Sequence, residues 1–203
     1  MLLAFTLRIG TTNDIFPIKI TDNGEDLDIR KVLNSTDMFW LYWESTKNSF
    51  DVCMGDRCIE EVMTCIRIKT ISISMTQYKF MDIERLEGKD VGTPYVGTFI
   101  PEPGSHPPKS MRVVSAVDPE DPQLYTIQYT NDGDFKCNVF FVASLGARIA
   151  NELETCKMYI PDSDIDKGPS ESCKRFFMER CNKTKIYQPY HSSCKNTENS
   201  LEK

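Results

Sequence analysis

Histidine is nearly missing from these 203 residues: only His106 and His191 occur, which leaves imidazole catalysis and histidine metal sites little to work with. No HExxH helix, GxSxG elbow or glycine-rich phosphate loop is present. An enzyme would have to build on His106 in a proline-rich loop or on His191 near the C-terminus, so neither catalysis nor a cofactor is expected. Positive charge is also short. Against 30 Asp and Glu stand 24 Lys and Arg, giving a net charge of −6 and a pI near 5.1. That balance excludes a surface built to neutralise nucleic-acid phosphates. Long apolar runs are absent, and the longest, Val139 to Ala147, is too short for a membrane-spanning helix. No CxxC pair occurs. Cys53, Cys58 and Cys65 lie five and seven residues apart with no histidine close by, unlike a zinc knuckle, so no metal is expected. No internal repeat or low-complexity linker divides the chain, and its length suits one domain.

Cysteine, by contrast, is plentiful. All eight lie beyond residue fifty, and an even number of this size indicates a disulfide framework formed in an oxidising compartment. A secreted, extracellular protein is expected. Two sequons agree with that: Asn34-Ser35-Thr36 and Asn182-Lys183-Thr184 mark Asn34 and Asn182 as glycosylation acceptors. Residues 1–27 read as a leader or flexible N-terminus, with Met1 to Leu7 as the remnant of a secretion signal. Asp28 stands where it can start a helical turn through Leu33.

The period then changes to that of strands. Aromatic-rich 38–43 is followed by strand-like segments at 62–69, 70–80, 95–100, 111–117, 123–130, 135–144 and 153–160. Turn clusters separate them, among them Glu87-Gly88-Lys89-Asp90 and Asp118-Pro119-Glu120-Asp121-Pro122. Eight antiparallel strands can close into a barrel with room for one small ligand, and an open two-sheet sandwich uses the same signals. A helix follows, with Ser170 as its cap and Glu171 in its first turn. Cys173, Phe177 and Cys181 recur four apart and share one face of it. Residues 196–203 form a polar tail.

Four stretches carry most of a family likeness. Cys137-Asn138-Val139-Phe140-Phe141-Val142 and Cys156-Lys157-Met158-Tyr159-Ile160-Pro161 resemble the last two barrel strands of tick salivary lipocalins. Gly168-Pro169-Ser170-Glu171-Ser172-Cys173-Lys174-Arg175-Phe176-Phe177 is similar to their C-terminal helix, and Tyr187-Gln188-Pro189-Tyr190-His191-Ser192-Ser193-Cys194 to their closing segment. Asp37 to Trp43 looks like the first strand of that family and Cys65 like its second-strand cysteine. The likeness spans roughly residues 28–195. It implies an all-β fold with a C-terminal helix: an eight-stranded antiparallel lipocalin barrel over 28–195, the helix packed outside and several disulfides. The pairings it implies are Cys65–Cys194, Cys137–Cys173 and Cys156–Cys181, which leave Cys53–Cys58.

These implied bridges set strand facing, because side chains alternate. With the cysteines outward, Ile66, Ile68, Asn138, Phe140, Val142, Lys157 and Tyr159 face the cavity. Phe39 or Trp40, together with Trp43, joins them from the first strand. A bulge between cysteine and site would invert the assignment. The amine binders of the family keep acids just after the barrel cysteine and at the start of the last strand; here those positions hold Asn138 and Lys157. An apolar, aromatic cavity is therefore expected to sequester a sterol such as cholesterol, a fatty acid or a leukotriene, and to dampen host inflammatory and immune responses. The alternatives are a scavenger of histamine or serotonin, and a scaffold whose loops bind host immune-cell proteins. A monomer is expected.

Overall fold

The computed structural model describes residues 27–131, 134–146, 155–181 and 185–195. The expected leader up to residue 26, the sequon at Asn182 and the tail from 196 lie outside them.

A short helix α1 (Ile29–Leu33) precedes strand β1 (Phe39–Glu44). Asp28 caps α1 by accepting from the Arg30 backbone N–H, and Ile29, Val32 and Leu33 are buried. The chain then forms β2 (Ser49–Met54), β3 (Arg57–Val62), β4 (Thr64–Ile73), β5 (Gln77–Leu86) and β6 (Lys89–Ile100). It continues through β7 (Ser110–Ser115), β8 (Gln123–Thr130), β9 (Asn138–Ser144) and β10 (Thr155–Pro161) to helix α2 (Glu171–Arg180). Eight of these strands close into one antiparallel barrel in the order β1-β10-β9-β8-β7-β6-β5-β4. Closure leaves the sheet no unpaired edge. The open sandwich is thereby set aside.

Strand boundaries differ from expectation in two places. The break expected between residues 69 and 70 lies at Ser74–Thr76, where the Ser74 hydroxyl accepts from the backbone N–H groups of Thr76 and Gln77. β5 and β6 then run on as one long hairpin around Glu87-Gly88, both at positive φ (47° and 76°), a turn that matches strand twist. Their charged residues, Asp82, Glu84, Arg85, Lys89 and Asp90, mask the strand pattern in the sequence. The second departure is β2–β3. Between the segments expected at 38–43 and 62–69 the chain forms a separate two-stranded arm, with Cys53 opposite Cys58.

The disulfides are Cys53–Cys58, Cys65–Cys194, Cys137–Cys173 and Cys156–Cys181, the pairs that the family likeness implies. Two of them fasten α2 to β9 and β10. Ser170 caps that helix by accepting from the Cys173 N–H. Its inner face of Cys173, Phe176, Phe177 and Cys181 packs on the outside of the barrel against Val139, Met158, Ile160 and Tyr129. The protein thus has two apolar layers, one inside the barrel and one between barrel and helix.

Candidate functional site

Which side chains reach the lumen is decided by alternation and by where alternation breaks. On β9 and β10, Asn138, Phe140, Val142, Lys157 and Tyr159 face inward, while Val139, Cys156, Met158 and Ile160 face α2. Ile66 and Ile68 of β4 face inward with Phe39 and Leu41 of β1. Between Leu41 and Trp43, however, the pairing of β1 with β10 slips by one residue. Leu41 lies opposite Tyr159, Trp43 opposite Met158 and Glu44 opposite Lys157, so Tyr42 is the extra residue of a bulge.

That slip corrects the expected lining. Trp43 turns outward, donates its indole N–H to Gln188 and packs on Phe177 of α2. Trp40 is outside by simple alternation: its indole donates to the Asp162 carboxylate at 2.7 Å, with the Arg67 guanidinium over its ring. Neither indole belongs to the lumen. Glu44, which strict alternation would place outside, enters the lumen in their stead and is only 5% exposed.

Strand direction sorts the lumen into two ends. α1 covers the end where β1 begins, and there Val32, Leu33, Phe39, Ile68, Met111 and Phe140 leave a void of only about 10 Å³. A stack of Tyr78, Phe80 and Tyr95 rings, at 5.0 and 5.5 Å, lines the wall from β5 to β6. Asn138 is inward but engaged: it accepts from Thr130 and donates to the Phe135 carbonyl, bracing the β8–β9 turn.

Toward the other end the lumen is charged. Glu44 of β1, Asp82 and Glu84 of β5, and Lys157 of β10 meet there beside Tyr95, Tyr125 and Tyr159. Burial raises the Glu44 carboxyl above its ordinary pKa, with Lys157 pulling the other way and Asp82 adding to the rise. Burial raises Asp82 likewise, and Glu84 is raised by burial and by its neighbour Asp82. Burial alone would lower the Lys157 ammonium, but Tyr125, Glu44 and Asp82 outweigh it and hold the pKa above the usual lysine value. Glu44 Oε1, Asp82 Oδ1 and the Tyr159 hydroxyl are buried without a hydrogen-bond partner among the described residues. Such groups are costly to leave unmet.

Sequence reasoning missed the three acids. Asp82 and Glu84 continue the inward series Tyr78, Phe80 at a period of two, a signal available once β5 is carried to Leu86. Glu44 had no such signal, since nothing in Phe39 to Glu44 betrays the bulge.

A barrel of this topology with a charged chamber invites comparison with known proteins. The model of the tick histamine binding protein family matches residues 19–196. The chain belongs to that family. No curated protein matches it. Among solved structures, a serotonin complex of AM182 superposes with a TM-score of 0.56 at 13% identity, covering 86% of this chain and 96% of that one. Japanin from Rhipicephalus appendiculatus, bound to cholesterol, follows at a TM-score of 0.48 and 13% identity, covering 80% and 97%. The family is one of ligand-binding barrels, and among the described residues no helix is long and apolar enough to cross a membrane.

Proposed function

We infer that this family member is a secreted, non-enzymatic scavenger of a small aromatic amine, held in the barrel and withheld from the host response that such amines drive. The observation that carries this is the chamber's charge: three inward carboxylates face one ammonium, and two of the carboxylates keep a buried oxygen unpartnered. A cation entering there gains the pairing those oxygens lack. Rings of Tyr95, Tyr125 and Phe140 offer the aromatic walls that an arylalkylamine buries against. AM182, a barrel of the same fold, holds serotonin. A sterol or fatty acid is less well served, because the apolar end is filled by α1 and its neighbours and the remaining lumen is charged.

Isothermal titration at neutral pH tests this. Serotonin or histamine should bind one per chain, and Glu44→Gln should weaken that binding about tenfold or more. Uptake of neither amine, with cholesterol or a fatty acid retained instead, overturns the reading.

A second reading, a protein-binding role, is favoured by the β2–β3 arm. Phe50, Val52, Met54 and Ile59 share one face of it and are exposed, Met54 by 79%. An apolar face of this kind is typical of contact surfaces. Replacing residues 49–62 with a short Gly-Ser link should abolish capture of a leukocyte or plasma protein and leave amine affinity unchanged. Equal capture by both forms rejects it.

A further inference from the structure

Hydrogen-bond capacity in the chamber is unbalanced in two directions at once. Carboxylates only accept, and those of Glu44 and Asp82 each keep an oxygen without a donor. An ammonium only donates. Lys157 stands opposite Glu44 in the β1–β10 ladder and feels Tyr125, Glu44 and Asp82, yet its ammonium closes no ion pair with any described carboxylate. The Tyr159 hydroxyl, 1% exposed and unpartnered, is next to the same groups and can donate or accept. A ligand that brought only a cation would satisfy the acids and leave Lys157 repelling it. A ligand that brought only an acceptor would do the reverse.

We propose that Lys157, seconded by the Tyr159 hydroxyl, is the specificity-determining group of the chamber and selects amines that carry a hydroxyl or another acceptor at the far end of the ring. The proposal rests on the amine reading and deepens it. The ammonium of the ligand goes to Glu44 and Asp82, and its ring oxygen accepts from Lys157. The lysine, unfavourable to a bare cation, thereby becomes the second half of the recognition. An amine without that oxygen still meets the acids, but it buries beside an ammonium to which it offers no acceptor. Discrimination by a missing hydrogen bond of this kind is strong, because the unpaired group belongs to the protein.

Matched ligands that differ by a single hydroxyl read this directly: serotonin against tryptamine, and tyramine against phenethylamine. In the unmodified protein each hydroxylated amine should bind about tenfold or more tightly than its partner. In Lys157→Met that ratio should fall to about two or less, with tryptamine binding more tightly than before as the repulsion goes. Because removing a charge from the lumen can disturb folding, Tyr159→Phe supplies an isosteric second variant, and it should lower the ratio while thermal unfolding stays cooperative. Binding of both members of each pair with equal affinity, or an unchanged ratio in both variants, overturns the assignment of Lys157 and leaves the amine reading standing. Binding of none of the four amines overturns the amine reading and this inference with it.

Discussion

Asp82 projects from β5 into the lumen with Oδ1 unpartnered, and burial raises its carboxyl above the ordinary 3.8. A folded-state pKa above the unfolded one means the native chain holds that proton more tightly. The stabilisation is then present below the unfolded value and is lost as pH rises through the folded value. At neutral pH Asp82 therefore works against the fold, and Asp82→Asn should raise the thermal midpoint there. Its advantage over the unmodified protein should shrink as pH falls toward the ordinary carboxylate range, which calorimetry across that interval measures. Amine affinity should decline over the same interval, since Glu44, Asp82 and Glu84 are all raised and lose charge together. Residues such as Phe140 and Tyr159 were legible in the sequence because they alternate regularly with cysteines whose partners lie outside. Glu44, Trp40 and Trp43 were not. Trp40 needed a choice between two neighbours, and Trp43 and Glu44 needed a bulge that side-chain identity does not announce.

Among the elements, α2 and the β2–β3 arm illustrate two uses of a disulfide. Cys173 and Cys181, two turns apart on α2, fasten it to adjacent strands. That spacing is plain in the sequence, as is the Ser170 cap. The arm is stapled only to itself, across a separation of 5 residues, whereas Cys65–Cys194 spans 129. In the chain-entropy account the long closure restricts the unfolded chain far more. Replacing Cys65 and Cys194 together by Ser should cost about 4–5 kcal/mol, and the same change at Cys53 and Cys58 about 2 kcal/mol or less. Guanidinium unfolding of the two double variants provides the comparison, and a reversed order would contradict it. The arm and the β5–β6 hairpin escaped sequence reasoning for one reason. Both break the apolar alternation with charges, on the outside in the arm and partly inside the lumen on β5, and a polar strand resembles a loop until its partner is known.

As a whole the molecule is a barrel closed at one end by α1, clamped on one flank by α2, and charged within. Its overall architecture was legible: even cysteines, short strands and one amphipathic helix all lead to a disulfide-stapled barrel. The contents were not, since they depend on which parity each strand adopts after its last irregularity. The Tyr42 bulge carries a consequence for how such a protein diversifies. Most substitutions change what a lumen position holds, but a bulge gained or lost changes which residues are lumen positions. Losing the Tyr42 codon would leave Trp43 opposite Met158 and Glu44 opposite Lys157 in an unbroken ladder, whereas flattening the bulge with Tyr42 retained would swing an indole into the chamber and turn Glu44 toward the outer wall.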